Sequence, residues 1–387
     1  MMERFAAFLL KSKWKVVAFF ILAVLLSGIL IPLVSINYDL TQYLPDDSMS
    51  RKAISVLQDE FTYPGSAEVM VANVTVPQAL AAKKKIASVK GVKNVMWLDD
   101  LVDINVPVDY SDKAVTEPYF KDNKALFTVE FNEGNYTKLT GAAIDEIRAT
   151  TGGSVRGMAE DARNQQSSMA DEILIIMLIV FPICVIILML ASNSWIEPLL
   201  YLIVIGVSIV INMGTNAFFN NVSYLTFSIC AVLQMAISMD YSLFMCHRYI
   251  EERDNGKDVK TAIKAAVKGS FSSIFASSFT TLAGFIALVF MGYTIGTDLG
   301  IVLAKGILIS FITVMVLMPV LLLLFRNVID KSRHRPFIPK FKKWGTTVSK
   351  LRYPIILIAI IITVTAFLGQ SKNEFLYGDT SGSSAEG

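Results

Sequence analysis

The chain has 387 residues, of which 53% are hydrophobic and 18% charged, with a formal net charge of +2 and a mean hydropathy of +0.53. Soluble globular proteins lie nearer roughly 45–50% apolar and about 25% charged, so an ordinary soluble fold is excluded. The near-neutral charge gives no reason to expect a nucleic-acid partner.

The apolar excess is gathered into seven runs, at about 14–34, 173–191, 197–218, 223–246, 271–292, 299–325 and 354–369. About 20 apolar residues cross the hydrocarbon of a bilayer, so the pattern predicts an α-helical polytopic membrane protein with about seven transmembrane helices. The first run follows Arg4, Lys11, Lys13 and Lys15, as a secretory signal would. Its stretch from Val16 to Val34 exceeds an h-region, however, and no small-x-small cleavage site follows. It reads as a retained anchor.

Residues 35–172 are enough for one small extracytoplasmic domain. Ser66–Thr75 reads as a strand, and Pro77 opens a helix that Gly91 ends. Val92–Leu98 and Ala125–Phe131 follow as strands, Tyr136–Ala149 as a helix stopped by Gly152-Gly153, and Ser154–Met158 as a short strand. The order βαββαβ is the ferredoxin-like α+β arrangement. A polar helix over 159–172 then leads into the second span.

Five spans follow in close succession (173–325), then a basic linker (326–353), a seventh span (354–369) and a polar tail (370–387) that reads as the opening of a second extracytoplasmic segment. Between the fourth and fifth spans, Ile250, Val259, Ile263 and Val267 repeat among charges over 247–270. That stretch reads either as an amphipathic helix on the inner surface or as a solvated connector. Four Lys/Arg flank the N-terminus, six lie in 247–270 and nine between Arg326 and Arg352, while the loops 217–222 and 293–298 have none. The positive-inside rule then places the N-terminus in the cytoplasm and 35–172 outside. The basic stretch 331–352, from Lys331 and Arg333 to Lys340, Lys342, Lys343 and Lys350, is a topology determinant that also suits anionic lipid headgroups.

Asp240-Tyr241 interrupts the fourth apolar run. A mid-span ionisable residue costs about 2.5–3.5 kcal/mol on insertion scales and usually faces a bundle interior or a water path. Removal from water disfavours the charged form of a carboxyl group, which lets it take up and release a proton near neutral pH. The alternative is a neutral residue that glues helices together. Tyr241 is placed to hydrogen-bond a facing carboxylate.

The fifth run carries Ser277, Ser278 and Thr281 in a hydroxyl stripe, with Ser277 the preferred partner of the acidic site; Asn212 and Asn216 stand one turn apart in the third. Both sets serve equally well as polar lining or as small residues for close packing. Lys305 either snorkels to the outer end of the sixth span or balances Asp240. No nucleophile elbow, HExxH, phosphate loop or paired-Cys motif is present, and Cys184, Cys230 and Cys246 all fall in spans. Neither an enzyme nor a cofactor or metal is expected.

With these residues in view, the chain resembles the N-terminal half of an RND-superfamily transporter of the MMPL type. The resemblance rests on Tyr38-Asp39-Leu40 with Tyr43-Leu44-Pro45-Asp46, on Gly157-Met158-Ala159, on Ser238-Met239-Asp240-Tyr241-Ser242-Leu243-Phe244 with Arg248-Tyr249 and Glu251-Glu252, and on Ser277, Thr280-Thr281 and Gly284-Phe285. Ser238 stands where the family usually has glycine. The resemblance implies a sterol-sensing-like bundle over spans two to six. It also implies a proton-relay pair at Asp240 and Tyr241, completed by a matching Asp-Tyr span from a second half. Expected, then, is proton-motive-force-driven export of hydrophobic or lipid-like substrates across the cytoplasmic membrane. The expected partners are membrane lipids, such a substrate and the second half. A non-transporting lipid sensor or a protein-export auxiliary of the same superfamily is the alternative, and an oligomer is allowed.

Overall fold

The computed structural model describes residues 2–45, 47–61, 64–104, 106, 112–219, 221–335 and 348–370. Asp46, the linker residues Lys340, Lys342 and Lys343, and the polar tail from Ser371 onward lie outside them. The chain divides into a large unit, Met1–Arg335, and a smaller one, Pro336–Gly387. In the second, the described element is a single apolar helix, Arg352–Gln370.

In the large unit, helix α1 (Met2–Lys11) precedes α2 (Lys13–Leu30). It buries Ala6, Leu9 and Leu10 and presents its charges outward, an amphipathic helix that the sequence reading passed over. Strand β1 (Ile36–Asn37) and α3 (Met49–Phe61) then lead to a compact α+β domain. Its elements are β2 (Ser66–Ala72), α4 (Val76–Ala87), β3 (Val92–Met96), α5 (Lys113–Thr116), β4 (Phe120–Lys121), β5 (Lys124–Phe131), α6 (Lys138–Thr151) and β6 (Ser154–Arg156).

The strand order β3-β5-β2-β6 is antiparallel throughout, with β4 added as a hairpin against β5. This is the split βαβ order expected from the sequence. Period-2 alternation along β5 buries Ala125, Phe127, Val129 and Phe131 on one face. Helices α4 and α6 cover that face with Ile86, Ile144 and Ile147, and Trp97 fills the centre, its indole donating to the Tyr119 carbonyl at 3.1 Å. Each such side chain contributes about 1.5–3 kcal/mol by leaving water.

Gly157, at φ +113°, ends the domain in a backbone conformation that residues with a Cβ rarely adopt. From it, α7 (Met158–Ala191) runs unbroken into the second span, so the polar stretch 159–172 and that span are one helix. Arg163 ties it back to Asp145 of α6 at 2.7 Å, and Arg148 of α6 pairs with Glu160.

The remaining elements are α8 (Glu197–Thr215), β7 (Val222–Ser223), α9 (Tyr224–Asp254), α10 (Val259–Val289), α11 (Thr294–Leu324) and α12 (Arg326–Lys331). Among the described residues seven helices are long and apolar enough to cross a membrane, counting α2, α7 to α11 and Arg352–Gln370, which makes this a polytopic helical membrane protein. Among the bundle helices α11 is the most enclosed, packing on α8, α9 and α10 at once. Helix α2 lies so close to α8 that a Cβ on Gly214 would sit 2.4 Å from the Ser27 carbonyl oxygen.

One expectation is corrected. Residues 259–270 are neither a surface-lying helix nor a solvated connector. They form the first turns of α10 and bury Ala262, Ile263, Ala266, Val267 and Ser270 in the bundle. The apolar positions at helical spacing were legible, but their partners were not: they pack against α1, which supplies Glu3 to Lys268 at 2.9 Å. The true connector is the short turn 255–258, where Asp258 accepts from the backbone amides of Lys260 and Thr261.

Candidate functional site

Helix α9 carries two faces with different chemistry. Thr226, Cys230, Gln234, Ser238 and Ser242 recur at every fourth residue and are all buried. Four-residue spacing puts them on one stripe. Asp240 lies off it. With Ala236 and Phe244, also four apart, it is exposed on the outside of the bundle.

No ion pair or hydrogen bond holds the Asp240 carboxyl among the described residues, so it is joined neither to the Ser277 stripe nor to Lys305. Its neighbour Tyr241 turns inward, 3% exposed, and its phenol has no partner among the described residues. Among the described residues five further buried hydroxyls lack one: Ser242 and Tyr249 on α9, Ser270 and Ser278 on α10, and Thr294 on α11. The pair thus straddles the edge of the bundle, with a carboxyl outside and a phenol within.

The hydroxyl stripe of α10 divides as well. Ser277 is exposed, Thr281 is half-buried and donates to the Ser277 carbonyl at 3.0 Å, and Ser278 is buried. Arg248 lies over α10, so near that a Cβ on Gly269 would meet its Nε at 3.0 Å. It pairs with Glu251 at 2.7 Å and Glu252 at 3.0 Å, and Lys257 joins Glu252 at 2.5 Å. The basic-acidic sequel to Asp-Tyr is therefore the lock on the last turns of α9.

The inward stripe meets polar residues of α8 and α11 in one network. Asn212 donates to Gln234 Oε1 at 2.9 Å, and Gln234 Nε2 donates to Ser310 Oγ at 2.9 Å and the Gly306 carbonyl at 3.2 Å. Ser238 donates to Ser310 at 2.6 Å. Gly306 makes room for this, since a Cβ there would fall 2.6 Å from Asn212 Nδ2. Above it, Lys305 donates to the Asn212 carbonyl at 3.1 Å and Asn216 Oδ1 at 2.5 Å, with its ammonium 4.9 Å from the centre of the Phe219 ring. The two asparagines are thereby brought to Lys305. It neither leaves the bundle nor reaches Asp240, because the C-terminal end of α8 offers acceptors and the negative end of the helix dipole.

At the end of the bundle nearest the α+β domain, Asp298 of α11 accepts from the Ser223 amide at 2.8 Å and the Thr226 hydroxyl at 2.5 Å. Burial first, and then the Asp298 carboxylate, push the Tyr43 phenol above its ordinary range. Tyr38 stacks on Tyr224, ring centres 5.9 Å apart, and Asp39 caps the next turn by accepting from the Thr41 amide at 3.0 Å. Beside that turn lies a cavity of about 420 Å³, between the juxtamembrane chain and the α+β domain. Ile54, Leu57 and Met158 give it an apolar wall, and Asn37, Asp39 and Asn135 a polar one.

At the opposite end, Glu197 is fully buried, accepts from the Asn193 amide at 2.9 Å and has its second oxygen unpartnered. Gln234, Ser310, Asp298 and Glu197 were not singled out from the sequence. Their signal was available in the four-residue repeat on α9 and in single polar letters inside apolar runs.

Comparison with known proteins follows from this architecture. The MMPL family matches residues 42–352. Over 110 residues the chain is 31% identical to the membrane protein MJ1562 of Methanocaldococcus jannaschii, a match covering 28% of this chain and 27% of that protein. Two crystal structures of SecDF are similar. One, from Thermus thermophilus and described as a translocon-associated membrane protein, has a TM-score of 0.45 and 13% identity over 82% of this chain and 38% of its own. The other, SecDF in a super-membrane-facing form, has a TM-score of 0.40 and 12% identity over 83% and 39%. The chain spans well under two thirds of the length of each of these proteins. Because the family match runs from the first juxtamembrane turn to the foot of the last span, the chain belongs to the MMPL family of the RND superfamily.

Proposed function

We propose that this chain works in proton-motive-force-driven export of hydrophobic or lipid-like molecules across the cytoplasmic membrane, as the N-terminal part of the transporter. The observation that carries the reading is the position of Asp240, an ionisable group with no partner on the outer face of a spanning helix, beside a buried and unpartnered Tyr241 phenol. A carboxyl against lipid costs about 2.5–3.5 kcal/mol. The face Ala236-Asp240-Phe244 is therefore covered by a matching span, from the same polypeptide or another chain. There Asp240 carries the proton and Tyr241 hydrogen-bonds to the assembled site. A proton crossing the membrane supplies about 2.3 kcal/mol per 100 mV, enough to bias a conformational cycle.

The cavity of about 420 Å³ beside Asp39 supports an amphiphilic cargo, since it joins an apolar wall to a polar one at the level where a lipid would leave the outer leaflet. The test is proton flux and substrate efflux in proteoliposomes of the complete transporter. Asp240→Asn is expected to abolish both while leaving expression and folding intact. Unchanged efflux with Asp240→Asn overturns the proposal. Lipid binding without efflux, indifferent to potential and to the substitution, identifies a sensor, and binding of unfolded polypeptide by the α+β domain identifies an export auxiliary.

A further inference from the structure

At the end of the bundle remote from the α+β domain, three elements that are far apart in sequence bring cations to one cavity of about 390 Å³. Lys13 opens α2, Lys260 stands in the first turn of α10, and Arg326 opens α12. Leu10, Leu323 and Leu324 supply the apolar part of the lining, and the amide side chain of Asn327 completes it.

None of the three cations forms an ion pair among the described residues, whereas several cationic groups at the same end do: Lys257 with Glu252, Lys268 with Glu3, Arg253 with Asp330 and Arg333 with Asp254. The nearest acid in sequence, Asp258, is occupied by the amides of α10. Like charges around one cavity repel, so the arrangement is at its most stable with an anion between them. A role as topology signals requires only that the three lie on this side of the membrane; it does not require that they line one cavity.

The donor set defines the ligand. Arg presents a fork that matches two oxygens of a phosphate, and Lys adds point charges. Leucines beside them suit the first carbons of an acyl chain. We propose that this cavity is a binding site for an anionic phosphate group, with the phosphate of an acidic membrane lipid as its source, and that it acts independently of the Asp240 site.

The test uses the 387-residue chain in a neutral detergent, with thermal unfolding and intact-complex mass spectrometry as readouts. Short-chain phosphatidylglycerol, phosphatidylcholine and glycerol 3-phosphate are titrated in parallel. Phosphatidylglycerol is expected to raise the melting temperature and be retained, with phosphatidylcholine well behind. K13Q/K260Q/R326Q should weaken that binding by about fivefold per cation, about a hundredfold in all. K15Q/K264Q/K331Q removes the same charge from the same end outside the cavity and should leave binding within about twofold. An equal response to glycerol 3-phosphate supports the site and makes its source a soluble phosphate. Equal responses to phosphatidylglycerol and phosphatidylcholine in the unsubstituted chain overturn the proposal, as does equal weakening by the two triple variants.

Discussion

Lys305 and Asn216 meet at 2.5 Å inside the bundle, so a cation within an apolar helix is held by a neutral side chain rather than by a carboxylate. The second acceptor is the Asn212 carbonyl at 3.1 Å. Removing Asn216 leaves the ammonium with less than its full set of acceptors, whereas removing the charge itself removes the need. Asn216→Ala is therefore expected to cost about 1–3 kcal/mol and Lys305→Met less. The double variant should be milder than the sum, measured as a double-mutant cycle of thermal unfolding in detergent.

The Asp240 and Gln234 positions, six residues apart on α9, should behave oppositely. Gln234 is 1% exposed and bonds to α8 and α11, so Gln234→Leu takes an acceptor from Asn212 and a donor from Ser208, Ser310 and the Gly306 carbonyl. A loss of about 2–3 kcal/mol is expected. Asp240 has no such bonds, and Asp240→Asn should shift stability by less than about 0.5 kcal/mol. Equal destabilisation would show that the carboxyl is structural.

Gly214 sets the approach of α2 to α8. Because an added Cβ would lie 2.4 Å from a backbone oxygen and 2.5 Å from Ser27 Cα, the neighbour cannot give way by rotating a side chain. Gly214→Ala should cost about 1–3 kcal/mol and Gly214→Val more. The Gly28→Ala exchange, where nothing lies within 4 Å, is the control and should be neutral in the same melting assay.

The α+β domain carries a pH-dependent pair. Lys83 donates to Asp100 at 2.6 Å and to Asp99 at 2.8 Å. The hydrogen bond from Lys83 holds the Asp100 carboxyl below its usual range. Desolvation opposes charge on Lys83, but its two carboxylate partners outweigh it and raise the ammonium's pKa. A lowered carboxyl stabilises above its unfolded pKa of about 3.9 and loses that contribution as pH falls through its lower folded value. A raised ammonium stabilises below its unfolded pKa of about 10.4 and loses that contribution as pH rises through the higher folded one. After solvent screening the pair is worth about 0.5–1 kcal/mol. Lys83→Met should flatten the melting temperature on the acid side, below about pH 4.

The parts of this fold that reveal themselves in sequence are those with a strong period or a long run. Apolar runs located every span, Pro77 marked the start of α4 and Gly152 the end of α6, whereas α4 stops at Ala87, four residues before Gly91. Asp240 was conspicuous because charge inside an apolar run is costly. The inward network was less visible because Gln, Ser and Asn carry no charge, and their pairing depends on how α8, α9 and α11 rotate against each other. The same limit explains Lys305. Depth along a helix was readable, but not the acceptors at the end of α8. Residues 259–270 were mistaken because Lys260, Lys264 and Lys268 among the apolar positions mimic a surface helix, while the cover supplied by α1 lies more than 250 residues earlier in the chain.

The parallel pairing of β1 with β7, Ile36 opposite Val222 and Asn37 opposite Ser223, is only two residues long. It nevertheless splices the chain leaving α2 to the first residues of α9, with the Val222 amide on the Ser35 carbonyl at 2.9 Å and the Ser35 hydroxyl on Asn221 at 2.8 Å. The helix that bears Asp240 and the strand that enters the cavity beside Asp39 are thus joined by backbone, as a tie rod joins two levers. A slide or turn of α9 would therefore be passed through backbone hydrogen bonds to Asn37 and Asp39 in the cavity wall.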